Sequence, residues 1–244
     1  LRRTGARGAQ DFEEVSWEKA LDFTAEKLLK IQKECGPDKV ALFSHGFGGS
    51  FFKHLLFAYG SANVTAPSYG QCRGPREVGF NLTYGASLGS PEVLDIANSR
   101  VLTLIGSHLG ENMHNTQVQE FAEAVGRGVP VIVVDPRYSV AASKAKYWLP
   151  IKPGTDLALL LAWARLLVAE GRYDKAFVAQ HGHGFDKFVA EIEPYTPQWA
   201  AERTGLAPEL IVAAAREFSN HRPATIIHPG RRVNWYGDDT QRSR

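Results

Sequence analysis

The sequence predicts an α/β protein whose sheets are mostly parallel and doubly wound. Three observations predict it. Residues 101–105 and 129–134 are Val/Ile/Leu runs interrupted only by Thr103 and Pro130, the pattern of strands covered on both faces. Between and after them lie stretches with apolar residues at helical spacing, as crossovers between parallel strands require. With 244 residues, 44% of them hydrophobic, the chain is long enough to bury such a core.

The elements follow in order. Ser16 is the N-cap of a helix over 17–34, with Ala20, Leu21, Phe23, Leu28 and Ile31 as apolar members and Gly36-Pro37 as its stop. A short buried strand over 39–44 leads into Gly46-Phe47-Gly48-Gly49-Ser50, a turn that opens an apolar helix ending near Gly60. A Pro- and Gly-rich connection carries the chain to Tyr69-Gly70-Gln71-Cys72-Arg73-Gly74-Pro75, and a further helix reaches Tyr84. After the strand at 101–105 come a helix over 115–125, the strand over 129–134, a short strand over 147–151 and a long helix over 155–170. Short helices over 174–180, 186–192, 197–203 and 208–218 precede an apolar strand over 224–228. Three regions result: a first α/β segment, 1–90, holding Cys72; a doubly wound α/β domain, 91–222; and a return strand, 223–244, expected to rejoin the first domain.

Composition narrows the function. Lys and Arg total 28 against 26 Asp and Glu, and no basic stripe interleaves with aromatics, so no nucleic-acid surface is expected. The two cysteines, Cys35 and Cys72, form no C-x-x-C pair, which excludes a zinc ribbon, a disulfide framework and an iron–sulfur cluster held by this segment alone. The longest apolar run, 157–164, is too short to cross a bilayer and is followed by Arg165. No hydrophobic stretch follows Arg2-Arg3, so the pair is not read as an export signal, and both ends read as cut, making this an internal fragment of a longer polypeptide.

Cys72 is the one residue able to ligate a soft metal by itself. Its position at a helix start beside Arg73 and Arg76 favours the thiolate, against the common role of free cysteine as a small buried hydrophobe. In open α/β sheets, ligands bind beyond the carboxyl ends of the strands. Three such tails carry polar groups. Gly106-Ser107-His108-Leu109-Gly110-Glu111-Asn112 lacks the G-x-G-x-x-G spacing, disfavouring a plain NAD enzyme, yet its glycines let backbone approach a phosphate. Asp135-Pro136-Arg137-Tyr138 offers an acid for ribose hydroxyls and a guanidinium for phosphate, or simply an Asp-Pro turn. Gly154-Thr155-Asp156 opens the long helix: Thr155 suits the cap and Asp156 the first turn, and a carboxylate there also matches the donor edge of guanine. His45 and Arg231 each follow a strand and are placed to converge on one cleft with Cys72. His181-Gly182-His183 has no further ligands near it in sequence and reads as a loop.

The ordered set Gly5-Ala6-Arg7-Gly8, Val15-Ser16-Trp17-Glu18-Lys19-Ala20, the Cys72 turn, Leu104-Ile105-Gly106-Ser107, Val134-Asp135-Pro136-Arg137 and Leu149-Pro150-Ile151-Lys152-Pro153-Gly154-Thr155-Asp156 resembles the molybdopterin oxidoreductases of the dimethyl sulfoxide reductase family, nearly end to end. Residues 69–80 and His228-Pro229-Gly230-Arg231-Arg232-Val233-Asn234-Trp235-Tyr236 most resemble the catalytic subunit of polysulfide and thiosulfate reductases.

The resemblance implies that Cys72 ligates molybdenum, or tungsten, in a bis(molybdopterin guanine dinucleotide) centre. It implies that Gly106, Ser107, Glu111, Asn112, Asp135, Pro136, Arg137, Gly154, Thr155 and Asp156 hold one guanine dinucleotide, and that His45 and Arg231 line the substrate face. The chain lacks the family's N-terminal [4Fe–4S] segment and its C-terminal half, so the fragment alone is expected to be inactive. The activity implied is reduction of polysulfide or thiosulfate in anaerobic respiration, with electrons supplied by an iron–sulfur subunit and a quinol-oxidising membrane anchor, on the periplasmic side. Tetrathionate, arsenate, nitrate or formate as substrate, and a non-catalytic structural subunit of a respiratory complex, are the alternatives.

Overall fold

A computed structural model describes residues 1–44, 49–66, 74–85, 94–107, 109 and 115–228. The chain divides into two compact units, Leu1–Tyr69 and Gly70–Arg244. The division falls before the expected boundary at residue 90, so the helix after the Cys72 turn goes by its contacts with the second unit.

In the first unit, β1 (Arg2–Arg3) pairs antiparallel with β2 (Phe12–Glu13). Helix α1 (Trp17–Cys35) starts where expected, the Ser16 hydroxyl accepting from the Lys19 N–H at 3.3 Å, and it stops at Gly36, whose φ of 94° suits only glycine well. Then β3 (Leu42–Phe43), α2 (Ser50–Tyr59) and β4 (Val64–Thr65) form a β-α-β crossover with parallel strands, Leu42 opposite Val64 and Phe43 opposite Thr65. The expectation of a buried strand over 39–44 is corrected: the strand is two residues long, Phe43 is 69% exposed, and Pro37–Lys39 form a 3-10 turn in its place. Hydrogen bonds from Tyr59 Oη to the Leu28 carbonyl and from Gln32 Nε2 to the Tyr59 carbonyl, both 2.7 Å, tie α1 to the end of α2.

The second unit begins with α3 (Gly74–Tyr84) and continues through β5 (Val101–Ile105), α4 (Asn115–Gly126), β6 (Val131–Val134), β7 (Tyr147–Leu149), α5 (Asp156–Ala169), α6 (Lys175–His181), α7 (Phe185–Ile192), α8 (Pro197–Thr204), α9 (Pro208–Asn220) and β8 (Thr225–His228). Its four described strands are all parallel, in the order β7-β6-β5-β8. Strand residues alternate between two cores. Val101, Ile105, Ile132 and Val134 pack with α5, α8 and α9 on one face, while Leu102, Leu104, Val131 and Val133 pack with Phe121 and Ala124 of α4 on the other. Both faces are covered, which is why β5 and β6 read as apolar runs broken only by Thr103.

Two boundaries move for local reasons. The strand expected from 129 begins at Val131, after Gly128 with φ 77° and Pro130, and the strand expected to 151 ends at Leu149 because Pro150 has no N–H for the ladder. The closing strand, expected over 224–228, is found over Thr225–His228. It lies beside β5, Val101 to Leu104 opposite Thr225 to His228, because parallel pairing there continues the covered sheet. Among the described residues no helix is long and apolar enough to cross a membrane.

Candidate functional site

Register sets the site. Ile105 lies opposite Val134, and Val134 opposite Leu149, so β5, β6 and β7 end on one level. Their tails leave that edge together. The Gly106 N–H donates to the Val134 carbonyl at 3.0 Å, and the Asp135 N–H to the Leu149 carbonyl at 3.2 Å, carrying the ladder one residue past each of those strands. Gly106 then turns at φ 56°, and Ser107 and Leu109 beyond it are buried.

Asp135 is 5% exposed, a carboxylate held at the very edge of the core. Its Oδ1 accepts from the Arg137 N–H at 2.8 Å and lies 3.7 Å from Arg137 Nε, closing a tight turn over Pro136. The turn and the acid are therefore one device, where the sequence left them as alternatives. Oδ2 accepts no hydrogen bond among the described residues. Trp148 Nε1 donates to the Asp135 carbonyl at 2.9 Å, and the Tyr138 ring meets the Trp148 ring edge-on at 4.9 Å. Arg137 stays half exposed.

On the third tail, the Thr155 N–H and hydroxyl both donate to the Lys152 carbonyl, at 3.3 and 2.7 Å, across Gly154 with φ 82°. The expected Thr155 side-chain cap is thus corrected. The hydroxyl is spent on the turn, and the helix starts without it. Asp156, the first residue of α5, is buried at 8% exposure. Beside it opens a cavity of about 620 Å³ between α5, α7 and α8, with Tyr195, Trp199 and Arg203 in its wall. The Arg203 guanidinium lies 4.2 Å over the Trp199 ring.

Two further residues at this edge carry no site role in the sequence reading, although His228 heads the motif that resembles the sulfur reductases. Gln117 of α4 and His228, the last residue of β8, are both buried, with Gln117 Oε1 3.1 Å from His228 Nε2. The available signal was Gln117 at the head of the stripe Gln117, Phe121, Ala124, where an apolar residue is expected.

The shifted titrating groups with buried or half-buried contacts lie at the opposite end of the sheet and serve packing. The Glu217 carboxylate, 2.8 Å from Lys146 Nζ, holds the ammonium pKa above its ordinary value. Hydrogen bonds from Arg216 hold the Glu170 carboxyl below the ordinary carboxylate value, with Arg172 assisting. Among the described residues no three His, Cys, Asp or Glu side chains gather as a metal site. His181 ends α6, its ring 4.9 Å from Phe177. Of the residues singled out from sequence, Gly106, Ser107, Asp135, Pro136, Arg137, Gly154, Thr155 and Asp156 are placed on the three tails. His45, Cys72, Glu111, Asn112 and Arg231 lie outside the described residues.

The donor set suits the nucleotide half of a cofactor. A buried acid with one open oxygen, a half-exposed guanidinium, glycine turns and a second buried acid match ribose hydroxyls, phosphates and a base with a donor edge.

Comparison with known proteins gives consistent matches. The family model described as molybdopterin oxidoreductase matches residues 1–238. The thiosulfate reductase molybdopterin-containing subunit PhsA of Salmonella typhimurium is 32% identical over 245 residues, covering 100% of this chain and 32% of that protein. Acetylene hydratase of Syntrophotalea acetylenica is 32% identical over 231 residues, covering 93% of this chain and 31% of that protein. The solved structure of acetylene hydratase from Pelobacter acetylenicus superposes with a TM-score of 0.76 at 30% identity, over 100% of this chain and 33% of that one. The chain therefore spans about a third of the length of these relatives.

Proposed function

The chain belongs to the molybdopterin oxidoreductase family, and from that premise we propose that it is the central part of a molybdenum enzyme that reduces polysulfide or thiosulfate. The observation that carries the nucleotide part of this reading is the common level at which β5, β6 and β7 end. That register gathers Gly106, Asp135, Arg137 and Asp156 along one edge, where a guanine dinucleotide would lie. Asp135 would accept from ribose hydroxyls, Arg137 would meet the diphosphate, and Asp156 would take the N1 and N2 donors of guanine.

The bis(molybdopterin guanine dinucleotide) metal centre supplies two-electron redox chemistry when bound. Cys72 would be its protein ligand, a soft thiolate suited to a sulfur-rich coordination sphere. His45 and Arg231 would face substrate, the guanidinium steadying an anionic sulfur acceptor. Iron–sulfur and quinol-oxidising membrane subunits as electron donors, a [4Fe–4S] cluster in the same polypeptide and a periplasmic location complete the proposal.

A sulfur acceptor is favoured because residues 69–80 and 228–236 resemble the polysulfide and thiosulfate reductase subfamily. The likeness to a hydratase names the competing chemistry on the same frame. The deciding experiment assays the purified complete enzyme with reduced viologen dye against polysulfide, thiosulfate, nitrate and acetylene, beside its Cys72→Ala variant. Sulfur-dependent dye oxidation that Cys72→Ala abolishes without lowering thermal stability is expected. Turnover confined to nitrate or acetylene, or a variant that keeps full activity, would sink the reading.

A further inference from the structure

The polar pair Gln117–His228 contradicts the pattern of both elements that carry it. On β8, Ile227 is 40% exposed while His228 is 5% exposed, so the buried member of the strand end is the polar one. On α4, Gln117 stands in the sheet-facing stripe otherwise filled by Phe121 and Ala124. Burying two polar groups costs desolvation, and apolar residues would serve packing better at both places. What they gain is direction. Hydrophobic contact is not directional, whereas the 3.1 Å contact between His228 Nε2 and Gln117 Oε1 fixes the ring, the amide and the two chain segments behind them. Oε1 is an acceptor, so the ring proton facing it belongs on Nε2.

Location gives this contact its meaning. The chain runs from β5 to β6 to β7 in one direction and then returns to lay β8 on the other side of β5. The strand order reverses between β5 and β8, and such a reversal opens the crevice in which open α/β sheets bind ligands. His228 closes β8 at that point and Gln117 lies in the first turn of α4, the helix that follows β5. The hydrogen bond therefore spans the head of the crevice from one wall to the other.

We propose that Gln117 and His228 are positioning residues that latch the two walls of this crevice and thereby set how tightly the dinucleotide is retained. The inference rests on the proposed dinucleotide-binding function. Its test separates positioning from mere support. In the complete polypeptide, Gln117→Leu or His228→Leu removes that bond from a partner that stays buried and lowers stability, whereas the double variant removes both groups that the bond joins and regains the part of the stability that the bond carried. A supporting role predicts that the double variant also regains the cofactor. A positioning role predicts that it does not.

The measurement is pterin guanine dinucleotide per polypeptide after gel filtration, beside the thermal midpoint, for wild type, both single variants, the double variant and His228→Gln. The double variant is expected to hold about fivefold less dinucleotide than wild type, on the scale of one lost hydrogen bond, at a midpoint above that of either single variant. His228→Gln, which keeps a donor, is expected to recover part of it. Wild-type dinucleotide content in the double variant overturns the latch and leaves the functional reading standing. A wild-type protein that carries no pterin overturns the functional reading and the latch with it.

Discussion

Trp148 reaches across from β7 to donate its indole N–H to the Asp135 carbonyl, 2.9 Å away, so the tail of β6 is held by the strand beside it. The peptide carrying the buried acid cannot rotate without breaking that bond. Trp148→Phe keeps the ring against Tyr138 but removes the donor. A stability loss of about 1 kcal/mol is expected, together with reduced pterin content in the complete enzyme. Denaturant unfolding and pterin fluorescence measure the two; a stability loss with unchanged pterin content would show that the indole serves only the fold.

Thr155 belongs to the turn, and the proposed function assigns Asp156 to guanine. The Thr155 hydroxyl shares the Lys152 carbonyl with the Thr155 N–H, so Thr155→Ala leaves that carbonyl satisfied and should cost less than about 1 kcal/mol. Asp156→Ala would lose a charged, two-point contact to guanine. Pterin content should fall much further in the Asp156 variant, and equal content in the two purified proteins refutes the ordering.

Glu170 accepts from Arg216 Nη2 at 2.7 Å and from Arg172 Nε at 2.7 Å, and these bonds depress its pKa, that from Arg216 most. A folded-state pKa below the unfolded value means the unfolded chain takes up the proton first as pH falls. The stabilisation is therefore full above the ordinary carboxylate value and is lost in acid as pH passes down through the depressed one. The three side chains are partly exposed, so the contribution is about 1 kcal/mol or less and shrinks in salt. Glu170→Gln should be less stable than wild type near neutrality and equal to it in acid. A stability gap that persists or widens in acid contradicts this account.

Arg231 and Arg232 follow β8, whose last residue pairs with Leu104, one step short of the end of β5. The proposal assigns Arg231 to the substrate. A guanidinium that steadies negative charge on the departing sulfur acts mainly in the transition state, so Arg231→Ala should lower kcat more than it raises KM. Arg231→Lys should restore little, lacking the planar fork. If Arg232→Ala carries the large kcat defect in steady-state kinetics, the assignment shifts by one residue.

The sequence by itself determined what depends on near neighbours along the chain. The Ser16 cap, the stops of α1 and α2 at Gly36 and Gly60, the apolar runs of β5 and β6 and the helices from α6 to α9 follow from capping, left-handed glycines and periodicity, all of which act within a few residues. The places of the acids at 135 and 156 were legible for the same reason, because one directly follows β6 and the other opens α5. Tertiary structure alone decided the rest. It placed β8 beside β5, and it drew an indole from β7 onto Asp135. It also set Gln117 against His228, 111 positions apart. Strand propensity names no partner, and a polar side chain in an apolar stripe reads as a mismatch until folding brings its counterpart to it. Such pairings are chosen by competition among distant segments for the same edge and the same buried volume, and no window of sequence contains both competitors.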